Sequence, residues 1–150
     1  MAAARTTDAV TVTLTNEARR HIAVLDDETD VAANDCLVDD EYDRVVYVVP
    51  PGTMGQVIGA GGEHVERLEE TVGRDVEVVE GADTAAAFVA NALAPAAVYN
   101  VTISDGDETV AYAEVDRADR GAAIGADGRN IDLARRLAER HFHVDEIELT

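Results

Sequence analysis

Residues 57–73 read VIGAGGEHVERLEETVG, and sixty-six positions later residues 123–139 read AIGADGRNIDLARRLAE. Both stretches contain Ile-Gly-Ala, place a second glycine three positions after the first, and continue into a helical pattern of apolar residues. Glycine adopts positive φ readily and lets another part of the backbone approach closely. The two stretches therefore predict the same tight turn, built twice, with a helix on either side.

The similarity extends well beyond the glycines. At the same offset the chain matches itself without a gap from about residue 16 to residue 73, pairing Ile22 with Phe88 and Gly55 with Gly121. Self-similarity at a fixed offset indicates an internal duplication. We therefore predict a tail or first strand at residues 1–14, a first domain at residues 15–81 and a second domain at residues 82–150.

Each copy has the same predicted order of elements: helix, strand, strand, short helix, glycine turn, helix, strand. In the first copy Ala18, Ile22 and Leu25 recur at helical spacing, and β-type runs follow at residues 36–38, 44–49 and 76–80. In the second copy Asp83 is the predicted cap of a helix that ends near Leu93. The closing strand of that copy is predicted at residues 144–149.

The composition favours a folded, strongly acidic protein. The chain has 150 residues, 47% of them hydrophobic, with 31 acidic residues against 12 basic ones, and all of the basic ones are arginine. Such a surface is typical of a halophilic archaeon, in whose molar salt charge repulsion is screened within about 3 Å.

The sequence also limits where the protein acts and what it carries. We find neither a secretory signal nor an apolar run long enough to span a bilayer, so we expect a cytoplasmic protein without membrane contact. The single cysteine, Cys36, excludes an internal disulfide and a cysteine-based zinc site, and its apolar surroundings predict a core position. His141 and His143 flank Phe142 but no third ligand is evident, so we expect no metal.

The glycine turns are candidate anion sites. A helix that starts directly after glycine leaves its first N–H groups available, and its dipole favours negative charge there. A sugar-phosphate backbone is such an anion. Apolar residues on both sides of each turn would form a groove for the bases.

These features together resemble tandem type II KH domains, whose GXXG turn holds the backbone of single-stranded RNA. The segments NDCLVDD (residues 34–40), VIGAGG and AIGADGRNI are similar to archaeal NusA-like transcription elongation and termination factors. The resemblance implies an α/β (α+β) fold in which each domain has a three-stranded mixed sheet with helices on one face. It implies single-stranded RNA and RNA polymerase as partners, a monomer, and neither a catalytic activity nor a cofactor. The RNA-binding residues it implies are Ile58, Gly59, Ala60, Gly61, Gly62 and Val65 in the first copy, and Ile124, Gly125, Ala126, Asp127, Gly128, Arg129, Asn130 and Ile131 in the second.

The two copies differ in charge around the turn. KH turns commonly carry lysine or arginine at their variable positions, whereas this chain has Ala60-Gly61 and Ala126-Asp127. Residues 62–73 contain four glutamates against one arginine, a net charge of −3, while residues 128–140 contain four arginines against two acids, a net charge of +2. We therefore predict that the second copy supplies most of the attraction to RNA.

Three other functions fit parts of the pattern. A strand, a glycine-rich turn, a helix and a later acid resemble a dinucleotide-binding unit, but nine residues separate the strand from Gly59 and His64 occupies the third glycine position. The acidic surface and the missing turn cations also fit a module that docks on RNA polymerase with weak or no RNA binding. A KH protein of the ribosome or of RNA processing would show nearly the same residues.

Overall fold

The computed structural model describes residues 10–150, which fold into two compact units. The first unit is Thr13–Gly81, and the second is Ala82–Thr150 together with residues 10–12. Val10 joins the second unit by donating its N–H to the carbonyl oxygen of His141 at 2.7 Å. Residues 1–9 of the expected N-terminal tail lie outside the described range.

The first unit begins with a long helix whose start the sequence encodes locally. Thr15 caps this helix by accepting a hydrogen bond from the N–H of Ala18 at 3.0 Å, and Ala18 and Leu25 turn towards the core. The elements of this unit in chain order are α1 (Asn16–Thr29), β1 (Asp35–Asp39), β2 (Arg44–Val49), α2 (Met54–Ile58), α3 (Glu63–Val72) and β3 (Asp75–Glu80).

The second unit repeats this order. Its elements are α4 (Ala85–Ala92), β4 (Val98–Ser104), β5 (Val110–Val115), α5 (Arg120–Ile124), α6 (Arg129–Phe142) and β6 (Glu146–Leu149). Thr84, not the predicted Asp83, caps α4, because its hydroxyl accepts the N–H of Ala87 at 3.2 Å. The last strand begins at Glu146 rather than at residue 144, because α6 runs for 14 residues where α3 has 10.

Each unit contains one three-stranded mixed sheet, which confirms the predicted fold class. The strand orders are β1-β2-β3 and β4-β5-β6. In both sheets the first two strands run antiparallel and the central and last strands run parallel. The registers also match, since Val45 pairs with Val76 in the first unit and Ala111, the equivalent of Val45, pairs with Ile147 in the second.

The core of the first unit is mostly aliphatic. Val45, Tyr47 and Val49 on the central strand are completely buried, and the Tyr47 hydroxyl donates to the carbonyl of His21 at 2.9 Å. Cys36 belongs to the same cluster and is only 4% exposed, which confirms its predicted core position.

One buried cluster in this unit is charged. The Arg44 side chain has no exposed surface, and its Nε donates to Asp39 Oδ2 at 2.7 Å while Nη1 donates to Glu77 Oε2 at 2.9 Å. Asp39 is itself 1% exposed, and the guanidinium carbon lies 4.8 Å from the ring centre of Tyr42. A buried arginine stays charged, and the surrounding carboxylates offset the free-energy cost of removing that charge from water.

Cys36 is expected to resist thiol reagents for as long as the first unit is folded. Burial, with a smaller contribution from the Asp35 carboxylate, raises the pKa of this thiol to about 12. At about pH 8 only about one thiol in ten thousand is then ionised, and the thiolate is the reactive form. Ellman's reagent should release about one equivalent of product in concentrated guanidinium chloride and almost none from the native protein. Comparable rates in the two conditions would contradict this burial.

The outer face of the second sheet is open. Along β5 the buried Ala111 and Ala113 alternate with the exposed Tyr112 and Glu114. Tyr99 on β4 is 64% exposed, and its hydroxyl donates to Asp116 Oδ2 at 2.8 Å. The alternation is that of a sheet with one face packed and the other in water. Across residues 10–150, no helix combines the length and the apolar character needed to cross a membrane.

Candidate nucleic-acid interface

The two glycine turns have almost the same backbone geometry, although the sequences around them differ. At the first position φ and ψ are 78° and 171° in Gly59 and 79° and 168° in Gly125. At the third position they are 62° and 19° in Gly61 and 55° and 24° in Asp127. At the fourth position they are 80° and 15° in Gly62 and 79° and 11° in Gly128. Each turn is closed by a hydrogen bond from its last glycine to its first, Gly62 N to Gly59 O at 3.1 Å and Gly128 N to Gly125 O at 3.0 Å.

The first glycine of each turn cannot carry a side chain. Its torsions lie in a region that only glycine populates. A Cβ on Gly125 would come within 2.8 Å of the backbone nitrogen of Asn130, and a Cβ on Gly59 would lie 2.8 Å from the ring carbon Cγ of His64. The remaining turn positions are more permissive, since a Cβ at Gly61, Gly62 or Gly128 meets no atom within 4 Å.

A helix that lacks a side-chain cap begins directly after each turn. Gly62 precedes α3 and Gly128 precedes α6, and neither helix start has a side-chain capping bond. The variable turn residues are all exposed, namely Ala60, Gly61, Ala126 and Asp127. The first N–H groups of α3 and α6 and the positive ends of their dipoles are therefore suited to an anion.

His64 and Asn130 occupy matched positions and have matched roles inside the protein. His64 Nδ1 lies 2.8 Å from the carbonyl oxygen of Gln56, and Asn130 Nδ2 lies 3.2 Å from the carbonyl oxygens of both Ala122 and Ala123. Each side chain therefore lies within hydrogen-bond distance of the short helix that precedes its turn. Asn130 Nδ2 also lies 3.3 Å from the carbonyl oxygens of Leu93 and Ala94.

This geometry changes the expectation for Asn130. Asn130 is one of the RNA-binding residues that the resemblance implies, but its side-chain NH2 group already lies within hydrogen-bond distance of backbone carbonyls from two segments of the second unit. A base contact by that group would have to break these bonds. The contact to Leu93 spans 37 residues, which the local pattern could not reveal.

In the second unit the turn opens onto a groove of about 450 Å³. Ile124, 41% exposed, and Ile131, 6% exposed, contribute its apolar wall. The sequence predicted these two residues as groove residues and counted Arg135 among the charges of the basic helix, but it did not predict the contribution of β6. The remaining lining residues are Arg120 and Arg135 from the helices and Glu146, Ile147, Glu148 and Leu149 from β6.

The equivalent residues in the first unit carry different chemistry. Ile58 is 37% exposed, like its partner Ile124, whereas Val65 is half-buried and packs against the first core. At the position of Arg135 the first unit has Glu69, whose Oε2 accepts the N–H of Val76 at 3.1 Å. Arg135 instead donates from Nη2 to the carbonyl oxygen of Ile147, the equivalent of Val76, at 3.2 Å. In both units a side chain of the helix after the turn therefore bonds to the last strand, but that side chain is an acid in the first unit and an arginine in the second.

Several arginines near the turns already have carboxylate partners. In the first unit Arg67 lies 2.9 Å from Glu28 and 3.5 Å from Glu63. In the second unit Arg136 lies 4.0 Å from Asp132, one helical turn away. Exposed pairs of this kind are weak and can exchange a carboxylate for a phosphate.

The two histidines of the second unit do not lie together on a strand. His141 is the penultimate residue of α6 and is buried, with its ring centre 5.3 Å from that of Phe88. His143 follows the helix in a left-handed conformation. Among residues 10–150 no group of three or more histidine, cysteine or acidic residues could hold a metal ion.

Comparison with protein families assigns both halves of the chain. Residues 8–103 match the KH domain family, and residues 85–150 match the NusA-like second KH domain.

Individual relatives match the chain as a whole. The probable transcription termination protein NusA of Halobacterium salinarum is 61% identical over 94% of this chain and 100% of its own length. The protein of the same description from Halococcus morrhuae is 59% identical over 92% of this chain and 98% of its own length. A further one, from Methanocaldococcus jannaschii, is 32% identical over 92% of this chain and 75% of its own length.

The fold also matches a solved structure. The crystal structure of APE1850 superposes with a TM-score of 0.82 at 30% sequence identity, covering 91% of this chain and 100% of that one.

Proposed function

Because this chain belongs to the NusA family of transcription termination proteins with tandem KH domains, we propose that it binds single-stranded RNA through its two GXXG turns. The KH domains are residues 15–81 and 82–150, and the protein acts as a monomer on RNA that emerges during elongation and termination. As a KH protein of this family it is not an enzyme. The dinucleotide-binding alternative is discarded with that assignment.

The observation that carries the proposal is the identical torsion pattern of the two turns. It is retained although one turn reads Gly-Ala-Gly-Gly and the other Gly-Ala-Asp-Gly. In each unit the pattern aims an uncapped helix start outwards beside an exposed isoleucine, Ile58 or Ile124. Helix N–H groups suit a phosphate, and apolar side chains suit the face of a base.

The second unit is the stronger site in this proposal. Its groove has Arg120 and Arg135 where the first unit has Met54 and Glu69. Arg129 directly follows the second turn, where a phosphate held by the helix start would lie. Each cation placed against a phosphate adds affinity that salt reduces.

Matched acidic turns test the proposal. Ala60→Asp with Gly61→Asp turns the first loop into Gly-Asp-Asp-Gly, and Ala126→Asp alone gives the second loop the same sequence. The backbone should tolerate an aspartate at position 61, because Asp127 already occupies that conformation. Fluorescence anisotropy with short single-stranded RNA pools in roughly 2–3 M KCl measures affinity where surface charge is largely screened. We expect losses of about tenfold or more when the same titration is run at low salt and smaller losses in molar KCl, with the larger loss in Ala126→Asp in each case.

The outcomes are separable once circular dichroism shows that each variant is folded. Equal affinity of both variants and the wild type would remove the turns from the binding site. A wild type that binds no RNA pool would reject the proposal.

A reciprocal exchange isolates the single charge that distinguishes the turns. We expect Asp127→Gly to raise RNA affinity by about twofold to threefold at low salt, since it removes a carboxylate near the phosphate path. Gly61→Asp should lower affinity in the first unit, and both effects should shrink in molar KCl. Titrations at two salt concentrations measure this, and a salt-independent change would indicate an altered backbone rather than charge.

The open outer face of the second sheet favours a second candidate function, docking on RNA polymerase. Tyr99 and Tyr112 are exposed there, and β4, β5 and β6 contain no basic residue. Exposed aromatics are typical of the centres of protein interfaces. Co-purification with RNA polymerase should weaken in Tyr99→Ala/Tyr112→Ala while RNA affinity stays unchanged. Retained co-purification would reject this face as the docking surface.

A further inference from the structure

The last strand of the second unit has one backbone edge that lies beside the groove and pairs with no other strand. β6 lies at the end of the sheet order β4-β5-β6, so only one of its edges pairs with another strand. Glu146 and Thr150 donate their N–H groups inward, to Thr109 at 3.2 Å and Ala113 at 2.9 Å. Backbone groups of alternate residues on an edge strand point in opposite directions, so those of Ile147 point away from the sheet.

Two charged side chains close over Ile147. Glu146 Oε1 accepts the N–H of Ile147 at 2.8 Å, and Arg135 Nη2 donates to the carbonyl oxygen of Ile147 at 3.2 Å. Arg135 Nε in turn lies 2.5 Å from Glu146 Oε1. We call this closed set, the side chains of Arg135 and Glu146 over the backbone of Ile147, the edge latch.

The edge latch is built from contacts that can open. The side chains of Arg135 and Glu146 are 46% and 38% exposed, and all three residues line the groove together with Ile124 and Ile131. An exposed ion pair gains little over solvation in water, and salt weakens it further. The fully buried pair of Arg44 and Asp39 in the first unit has no such freedom.

The first unit makes the corresponding link with a different donor and acceptor. Glu69 accepts the N–H of Val76 directly from the helix. An acid on the helix repels a phosphate strand and offers no donor to a base. The arginine of the edge latch offers several donors in a fixed plane.

We propose that the edge latch covers the base-reading edge of the second groove and that a bound base opens it by displacing Glu146. This inference rests on the proposed RNA binding and specifies how one groove selects its base. Arg135 keeps its bond to the Ile147 carbonyl, and the base takes over two donors that Glu146 now occupies, the Ile147 N–H and the guanidinium of Arg135. Guanine matches two donors best, because its O6 and N7 are adjacent acceptors, whereas adenine offers one acceptor and one donor on that edge.

The test uses two alanine variants with the same change in charge. Glu146→Ala opens the edge latch, and Glu114→Ala removes an equal charge from an exposed position on the neighbouring strand β5, outside the groove lining. Affinities are measured by anisotropy with short uridine-rich RNAs that carry one central guanine or one central adenine. Glu146→Ala should bind the guanine RNA about threefold to fivefold more tightly than the wild type, the gain expected from removing one exposed ion pair. Glu114→Ala should change this affinity by less than about twofold.

A third variant tests the role of the arginine. Arg135→Glu copies the residue of the first unit and should abolish the preference for guanine over adenine. Amide hydrogen exchange monitors the edge latch without RNA, and the Ile147 amide should exchange faster in Glu146→Ala than in the wild type or in Glu114→Ala.

The outcomes separate this inference from the function on which it rests. Equal gains in Glu146→Ala and Glu114→Ala, or a guanine preference retained in Arg135→Glu, overturn the edge latch. If the edge latch is overturned in this way but the wild type binds RNA and the acidic-turn variants do not, the proposed function stands without the latch. Absence of binding in the wild type and in Glu146→Ala alike rejects both.

Discussion

Replacing Arg44 with methionine is expected to lower the free energy of unfolding of the first unit by about 3–5 kcal/mol. The arginine has no exposed surface, and its removal leaves the 1% exposed carboxylate of Asp39 without its cation. Methionine fills much of the space but cannot donate to Asp39 or to Glu77. Asp39 Oδ1 still accepts the N–H of Glu41, but a buried carboxylate that has lost its cation is far more costly than a missing hydrogen bond between neutral groups.

The matched control for this prediction is Arg74→Met. Arg74 pairs with Asp40 at 2.8 Å, but the Asp40 side chain is 84% exposed, so water can take over the role of the arginine. We expect that variant to unfold at nearly the wild-type urea concentration. Circular dichroism during urea titration measures both, at one fixed KCl concentration. A loss in Arg44→Met no larger than that in Arg74→Met would show that the Arg44 site is hydrated in solution.

Replacing Gly125 with alanine is the second large effect, and we expect it to destabilise the second unit by about 3 kcal/mol. At φ 79° and ψ 168° every L-residue is strained. The new Cβ would also lie 2.8 Å from the backbone nitrogen and 2.9 Å from the Cβ of Asn130. Relief requires a shift in the start of α6, which carries the candidate RNA contacts. RNA affinity should therefore fall together with stability.

Gly128→Ala separates the clash from the general effect of adding a methyl group. Gly128 also has positive φ, but it lies in the left-handed region, and a Cβ there meets no atom within 4 Å. The left-handed strain alone should cost about 1–2 kcal/mol. Thermal unfolding of the two variants gives the order, and a larger loss for Gly128→Ala would refute the steric argument.

The repeated turns and the periodic stripes were sufficient to predict the architecture. Glycines at matched spacing and β-type runs such as RVVYVV are local signals, and the sheets confirm them. The longer α6 was not predictable from the offset, because the gap-free match between the copies ends at about residue 73. Its extra turn moves the start of β6 relative to the repeat.

The charged contacts were beyond local reasoning because they join distant segments. Arg44 was not singled out, since an arginine at the start of an apolar strand usually lies in solvent, and its partner Glu77 is 33 residues away. The resemblance placed Asn130 among the RNA contacts, while its carbonyl partners at Leu93 and Ala94 depend on how the second unit folds. Arg135 was counted only as part of a basic helix, since its position over β6 follows from the sheet register.

The torsions of the turn also determine where a duplicated gene can diverge. Only glycine can occupy the first position of the turn. The third position accepts either glycine or aspartate in the same left-handed conformation. After duplication, the two copies could therefore acquire different charges at Gly61 and Asp127 without rebuilding the loop. For an engineer this is an adjustable position: glycine, asparagine and aspartate can be exchanged there to retune one domain while its scaffold and its neighbour stay as they are.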